Sequence, residues 1–145
     1  MNAYSFFLHL HSGFRYIVMV LFIYTILMAL LGWFGNRPYT NGNRLANLFA
    51  MISAHMQLLI GIVLYFLSPL VAFNSTTMKD PVTRYFTVEH WVMMIIAIAL
   101  ITVGHSKSKK LVLPEAKHKT IALFYGIALL IIIGALAAGK ISILK

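Results

Sequence analysis

Long apolar stretches separated by short polar segments form the dominant pattern along this chain. Four such stretches cover residues 8–34, 45–73, 88–106 and 120–138. Each is close to or above the roughly 20 residues that an α-helix needs to cross a bilayer. The segments between them are rich in basic and turn-forming residues, as in GNRPYTNGNR over 35–44 and at the Asp80-Pro81 pair. The pattern predicts an all-α membrane protein, a single domain over residues 1–145 whose four transmembrane helices form an antiparallel bundle.

The amino-acid composition also indicates a membrane protein. Hydrophobic residues make up 61% of the chain and charged residues only 10%, whereas soluble domains average about 25% charged residues. The chain has no cysteine, so disulfides, thiolate metal sites and thioether-linked haem are excluded. Histidine, with six residues, remains the main candidate for a metal ligand.

The basic residues predict how the bundle is oriented in the membrane. With four spans, the loops after the first and third helices lie on one side and both termini on the other. The loop side carries Arg37, Arg44, Lys107, Lys109, Lys110, Lys117 and Lys119, and the opposite side carries Lys79, Arg84, Lys140 and Lys145. The positive-inside rule then makes the loop side cytoplasmic and places both termini on the outer side of the membrane. A net charge of +9 spread over loops and helix ends does not indicate a nucleic-acid-binding face.

The third span carries a histidine near each of its ends. His90 and His105 lie fifteen residues apart, which on an α-helix is about 22 Å along the axis and about 60° of rotation. Both side chains therefore project from roughly one side of the helix, each near a different membrane surface. Such a helix can provide one imidazole ligand at each of two membrane levels.

Histidines on the other spans supply partners at both levels. His11 on the first span matches the depth of His90, whereas His55 on the second differs from His105 by about 6 Å or more, from the helix rise per residue. Two neutral imidazoles on facing helices can bind the iron of a haem from opposite faces of the porphyrin. Ionisable residues inside spans are costly and favour such a functional role. The alternative is that these histidines form hydrogen bonds between helices, and His55 is also a candidate for a quinone contact.

Two further polar residues lie inside the predicted spans. Arg15 follows His11 by one helical turn on the same face. Its guanidinium suits a haem propionate, and a buried ion pair with Glu89 is the alternative. For Gln57 we favour a hydrogen bond between helices over a quinone contact.

Other residues near the span ends receive an ordinary structural interpretation. Five aromatic residues are expected to form an interfacial belt at the membrane surfaces: Tyr4, Trp33, Tyr39, Tyr85 and Trp91. His118 lies in the basic connector after the third span and is expected to be solvated.

Three histidine-bearing segments resemble those of a known group of proteins. The segments LHSGFRY, AHMQLLIGIVLYF and VEHWVMMIIAIALITVGHSKSKK are similar to segments of small four-helix cytochrome-b-like membrane proteins of Bacteroidota, and the resemblance covers nearly the whole chain. It implies one or two b-type haems, with iron ligands drawn from His11, His55, His90 and His105.

The sequence therefore predicts a haem-binding membrane protein that transfers electrons within or across the membrane as a subunit of a larger complex. Its expected partners are membrane lipid, other membrane protein subunits and a quinone. Two alternatives stay open: a cofactor-free accessory subunit of a respiratory, transport or secretion complex, and a carrier of haem or metal. With three carboxylate side chains in the whole sequence, the chain does not indicate a hydrolase or a proton-driven pump.

Overall fold

Four long helices make up most of the computed structural model, which describes residues 2–69, 71, 73, 74 and 76–144, with side chains up to residue 139. The helices are α1 (Ala3–Phe34), α2 (Asn41–Leu67), α3 (Pro81–Lys110) and α4 (Pro114–Leu144). The described residues contain no β-strand. The predicted all-α architecture of four antiparallel helices is confirmed.

The order of packing places α1 and α3 on a diagonal of the bundle. Helix α1 packs mainly against α2 and α4, and α3 packs mainly against α4 and less extensively against α2. We call the end of the bundle where α1 and α3 begin the Ala3 end. The opposite end, where these two helices finish, is the Phe34 end.

The outer surface of the bundle is apolar. All four helices are long and apolar enough to cross a membrane. Large side chains point away from the bundle, and Phe66 and Val20 are 81% and 66% exposed. Contiguous exposed apolar surface of this kind is unfavourable in water and marks a membrane-contacting face. The chain is therefore an integral membrane protein.

The interior combines small residues at helix contacts with a few large buried side chains. Alanines that are almost fully buried include Ala50, Ala54, Ala97 and Ala128. Small residues let helix backbones approach closely, which is the main source of attraction between helices in lipid. The rings of Phe22 and Tyr125 fill the space between α1 and α4, with centroids 5.1 Å apart. The Thr25 hydroxyl donates to the Phe22 carbonyl at 3.0 Å, so this buried polar group is satisfied within its own helix.

Replacing Gly104 with alanine is expected to destabilise the bundle. A Cβ at this position would overlap the Cβ of Phe124 on α4, an atom that cannot move away without shifting the backbone. Overpacking of this kind costs about 1–3 kcal/mol. Gly126→Ala on α4 is the matched control, because a Cβ there meets no atom within 4 Å. Thermal unfolding in detergent, followed by circular dichroism, should show a lower midpoint for G104A than for G126A. Equal midpoints would contradict the close approach of α3 and α4.

Helix α2 ends earlier than the apolar pattern predicts. The second span was expected to reach residue 73, but the helix stops at Leu67. Ser68 has extended backbone angles of φ −74° and ψ 130°, as expected for a residue that precedes a proline. Pro69 is therefore the physical reason for the end of α2, and Val71 and Phe73 beyond it are apolar without being helical.

Helix α3 begins earlier than predicted, within a segment that we expected to be a polar loop. Asp80 is its N-cap and Pro81 occupies the first turn, a combination that favours a helix start. The carboxylate of Asp80 accepts hydrogen bonds from the hydroxyl and the amide of Thr83. These bonds stabilise the charged form and hold the pKa of the Asp80 carboxyl below its usual value.

The Phe34 end is closed by hydrogen bonds between the loops and the helices. Helix α3 continues to Lys110 and α4 starts at Pro114, so the expected basic connector is mostly helical. His118 was expected to be solvated, and this expectation is wrong because its side chain is only 2% exposed. Its Nε2 lies 3.2 Å from the Pro38 carbonyl, to which it donates. The ring also packs directly on Gly32, where no larger residue would fit.

Candidate functional site

His11 on α1 and His90 on α3 approach each other across the bundle near the Ala3 end. Their ring centroids are 6.3 Å apart and the ring planes cross at 76°. Because α1 and α3 are diagonal in the bundle and not extensively packed neighbours, the two imidazoles meet in the interior between the four helices. The structure thus brings together the pair for which the sequence predicted matching depths.

A π-helical turn positions His90. Residues Tyr85–Glu89 form this turn within α3, and the backbone N–H of His90 donates to the Tyr85 carbonyl. The i to i+5 pattern of a π turn places the Tyr85 and His90 side chains next to each other, with ring centroids 5.5 Å apart. Such turns are rare and occur frequently at functional sites.

The hydroxyl of Tyr85 fixes the protonation pattern of the His90 ring. It donates to the Ala135 carbonyl on α4 at 2.7 Å, so its single proton is used. The contact of 3.0 Å between Tyr85 Oη and His90 Nδ1 must then be a hydrogen bond donated by the imidazole Nδ1–H. A neutral His90 consequently carries its free electron pair on Nε2, the atom required of a metal ligand.

Tyr85 is a site residue that the sequence analysis missed. We expected it in the interfacial aromatic belt, but it is only 3% exposed and contacts His90 and α4. A five-residue separation does not place two side chains on the same face of an ordinary α-helix. Without knowledge of the π turn, no periodicity in the sequence would have joined Tyr85 to His90.

Helix α2 encloses the His11 side of the pair. Gln57 donates from Nε2 to the His11 carbonyl at 2.8 Å, which is the interhelical hydrogen bond that we favoured for this residue. Gly61 follows one turn later, and a Cβ there would lie 3.3 Å from His11 Cε1. The absence of a side chain at Gly61 therefore makes room for the imidazole.

Arg15 lies beside the histidine pair and has no carboxylate within ion-pair distance among the residues that the structure describes. The alternative pairing with Glu89 is wrong, since Glu89 accepts from Arg84 at 2.7 Å, within its own helix. Arg15 instead lines an open groove of about 410 Å³, together with Tyr16, Met19 and Leu136. It interacts electrostatically with both histidines of the pair.

The two histidines expected to form an inner pair have different surroundings. Thr102 donates its hydroxyl proton to the Ile98 carbonyl at 2.8 Å, so His55 Nε2–H donates to Thr102 Oγ1 at 2.9 Å. Thr102 lies one turn before His105, about 4.5 Å of helix rise away. His55 is therefore at the level of Thr102, farther from the Phe34 end than His105, which is the direction of the depth mismatch expected from the sequence. His105 is buried, with its Nδ1 unpartnered among the described residues.

The site can be compared with those of known proteins only through its chemistry. The chain matches no protein-family model, and comparisons with curated proteins and with solved structures found no significant similarity. Functional assignment therefore depends on the geometry around His11 and His90.

Proposed function

We propose that this protein binds a b-type haem between His11 and His90 and transfers electrons within or across the membrane. The distance between the two rings carries the proposal. With metal–nitrogen bonds of about 2.0 Å and a further ~1.1 Å from nitrogen to ring centre, two imidazoles on opposite sides of one metal have centroids about 6.2 Å apart. The observed separation is 6.3 Å.

The donor set is suited to an iron that is already coordinated by a porphyrin. Among the described residues there is no group of three or more His, Asp or Glu side chains that could hold a metal ion. Two imidazoles alone are a poor site for a free ion, but they complete the coordination of a haem iron. When bound, a haem supplies a one-electron carrier. The protein would contribute the two ligands and the orientation of His90 through Tyr85.

Arg15 is the residue that we propose for a carboxylate of the haem. It follows His11 by one turn of α1, lines an open groove, and has no carboxylate partner of its own in the described part of the chain. A guanidinium binds a carboxylate through two parallel hydrogen bonds, and this interaction is strengthened when the surroundings are apolar.

A second haem at His55 and His105 remains a prediction of the sequence. The hydrogen bond from His55 to Thr102 supports a structural role for His55 in the state that we describe. We therefore propose one haem per chain at His11 and His90. Ligation by the inner pair would require His55 to give up this bond and move toward His105.

The distribution of basic residues supports a proposal for how the protein is oriented in its membrane. We propose a bacterial inner membrane with both termini on the periplasmic side, as the distribution of basic residues indicates. The histidine pair would then lie near the periplasmic surface. A quinone or a neighbouring redox subunit would supply or accept the electrons, and the protein would work as one subunit of a larger complex.

An absorbance difference spectrum tests this proposal most directly. Protein purified in detergent from a haem-replete host should show a Soret band and, after dithionite reduction, the α band of a b-type haem. A pyridine haemochrome assay should give about one haem per chain, and about two would support the inner pair as well. Protein without haem would contradict the proposal and favour a cofactor-free accessory subunit.

A further inference from the structure

Two buried polar atoms without a hydrogen-bond partner lie on neighbouring residues beside the histidine pair. In the described residues, buried side-chain nitrogen and oxygen atoms lacking a partner are His11 Nδ1, Gln57 Oε1 and His105 Nδ1. The first two belong to residues that already touch, because Gln57 Nε2 donates to the His11 carbonyl at 2.8 Å. Unpaired polar groups in a membrane interior are costly, so such a juxtaposition indicates a missing interaction.

The orientation of the His11 ring places these two atoms on the same side. A Cβ at Gly61 would lie 3.3 Å from Cε1 and 3.7 Å from Nδ1 of His11, which means that this edge of the ring faces α2. Gln57 precedes Gly61 by four residues and therefore lies one turn away on the same face of α2. The Nδ1 edge of His11 and the side chain of Gln57 therefore both lie on this face of α2.

The tight packing at Gly61 argues against a separate ligand between the two residues. The imidazole lies against the α2 backbone at Gly61, so no ligand fits between the ring and α2 at that position. The amide of Gln57 can instead serve His11 itself. Its nitrogen already donates to the main chain of His11, and its oxygen is a buried acceptor that has no partner among the described residues.

We infer that Gln57 is a positioning residue: its Oε1 accepts a hydrogen bond from the Nδ1–H of His11 once the amide and the ring turn toward each other, with or without haem. This inference rests on the proposed haem site. The amide then clamps His11 through both its main chain and its side chain, and His11 presents Nε2 to the iron. Tyr85 performs the same task for His90, so both ligands are held at Nδ1 by a residue of the protein.

A hydrogen bond of this kind changes the electronic properties of the ligand. An acceptor at Nδ1–H raises the basicity of the imidazole and stabilises the oxidised, more positive iron. Removing the acceptor in Gln57→Leu should therefore raise the midpoint potential, and strengthening it in Gln57→Glu should lower it. We expect the ratio of reduced to oxidised haem at a fixed potential to change about tenfold in each case, or about 59 mV for a one-electron couple.

The opposite directions separate this role from a purely structural one, which would shift both variants the same way. Met56→Leu is the matched control, because Met56 is adjacent on α2 and 48% exposed toward lipid, and it should leave the potential unchanged. Unchanged potentials in both Gln57 variants, or shifts in one common direction, would overturn the inference while leaving the haem proposal intact.

A second measurement does not depend on haem. Nitrogen NMR of histidine-labelled protein in lipid nanodiscs, with His11 assigned by substitution, reports which ring nitrogen carries the proton. We expect the Nδ1–H form for His11 in the wild type, and a loss of its hydrogen-bonded shift in Q57L. Detection of the Nε2–H form would overturn the inference. Absence of haem with the expected Nδ1–H signal would instead contradict the proposed function and support the hydrogen bond.

Discussion

Substituting alanine for His11 or His90 is expected to yield protein without bound haem. Each residue provides one of the two imidazoles that meet across the bundle with ring centroids 6.3 Å apart, and the described residues near them offer no third ligand of the same kind. Loss of either imidazole would leave a haem at this site with a single protein ligand, which would weaken its binding. The absorbance spectrum of the purified variants and their haem content per chain measure the effect.

His9→Ala is the matched control for these two variants. His9 is on α1, two residues from His11, but its side chain is exposed and bonds to the Ser5 carbonyl at 2.7 Å. H9A should therefore keep the haem content of the wild type. Addition of imidazole to H11A or H90A should restore the low-spin spectrum in part. If H11A and H90A both kept the haem content of the wild type, haem would be bound at another site and the proposed site would be wrong.

Substituting phenylalanine for Tyr85 is expected to weaken haem binding about 10- to 100-fold, the usual effect of losing the group that orients a histidine ligand. The hydroxyl of Tyr85 accepts from His90 Nδ1 and donates to the Ala135 carbonyl. Its removal leaves the His90 Nδ1–H without an acceptor, which costs about 1–3 kcal/mol in stability. The Ala135 carbonyl lies within α4 and keeps the main-chain hydrogen bond of the helix. Titration of apoprotein with haemin, followed at the Soret band, measures the change in affinity.

Tyr65→Phe separates the effect on His90 from the general loss of a hydroxyl group. Tyr65 donates to the Thr87 carbonyl at 2.7 Å and thereby joins α2 to the π turn, but it has no hydrogen bond to a histidine. We expect Y65F to lower thermal stability while retaining haem affinity close to that of the wild type. Equal losses of affinity in Y65F and Y85F would indicate that the π turn as a whole, and not the hydroxyl on His90, determines binding.

The fold was largely predictable from the sequence because lipid imposes a simple requirement. Backbone groups must be paired within each spanning segment, so long apolar stretches become helices. The ends were less predictable, because they depend on single residues. Pro69 terminates α2 inside an apolar stretch, and Asp80 starts α3 inside a polar one. The Asp80-Pro81 pair is typical of a turn. The same two residues also favour the start of a helix.

The site was only partly predictable. Because each residue of an α-helix adds the same rise, counting residues from the span ends gives the depth of a side chain in the membrane. His11 and His90 have the same depth by this count, and this was enough to pair them. The role of Tyr85 depends on a π turn, which changes the register of α3 by one residue, and sequence periodicity assumes an unbroken α-helix. The burial of His118 depends on the absence of a side chain at Gly32 in another helix. Contacts between distant segments of this kind have no local signal.

His11 and His90 lie on diagonal helices that belong to different hairpins of the chain, which has a consequence for the order in which the site forms during synthesis. The two helical hairpins, α1 with α2 and α3 with α4, each hold one of the two histidines that we propose as haem ligands. During synthesis, the first hairpin can enter the membrane with only His11 in place. A complete coordination site arises after the second hairpin has inserted and docked. Acquisition of haem would thus be confined to fully assembled chains, and truncated chains that end before α3 would not compete for the cofactor.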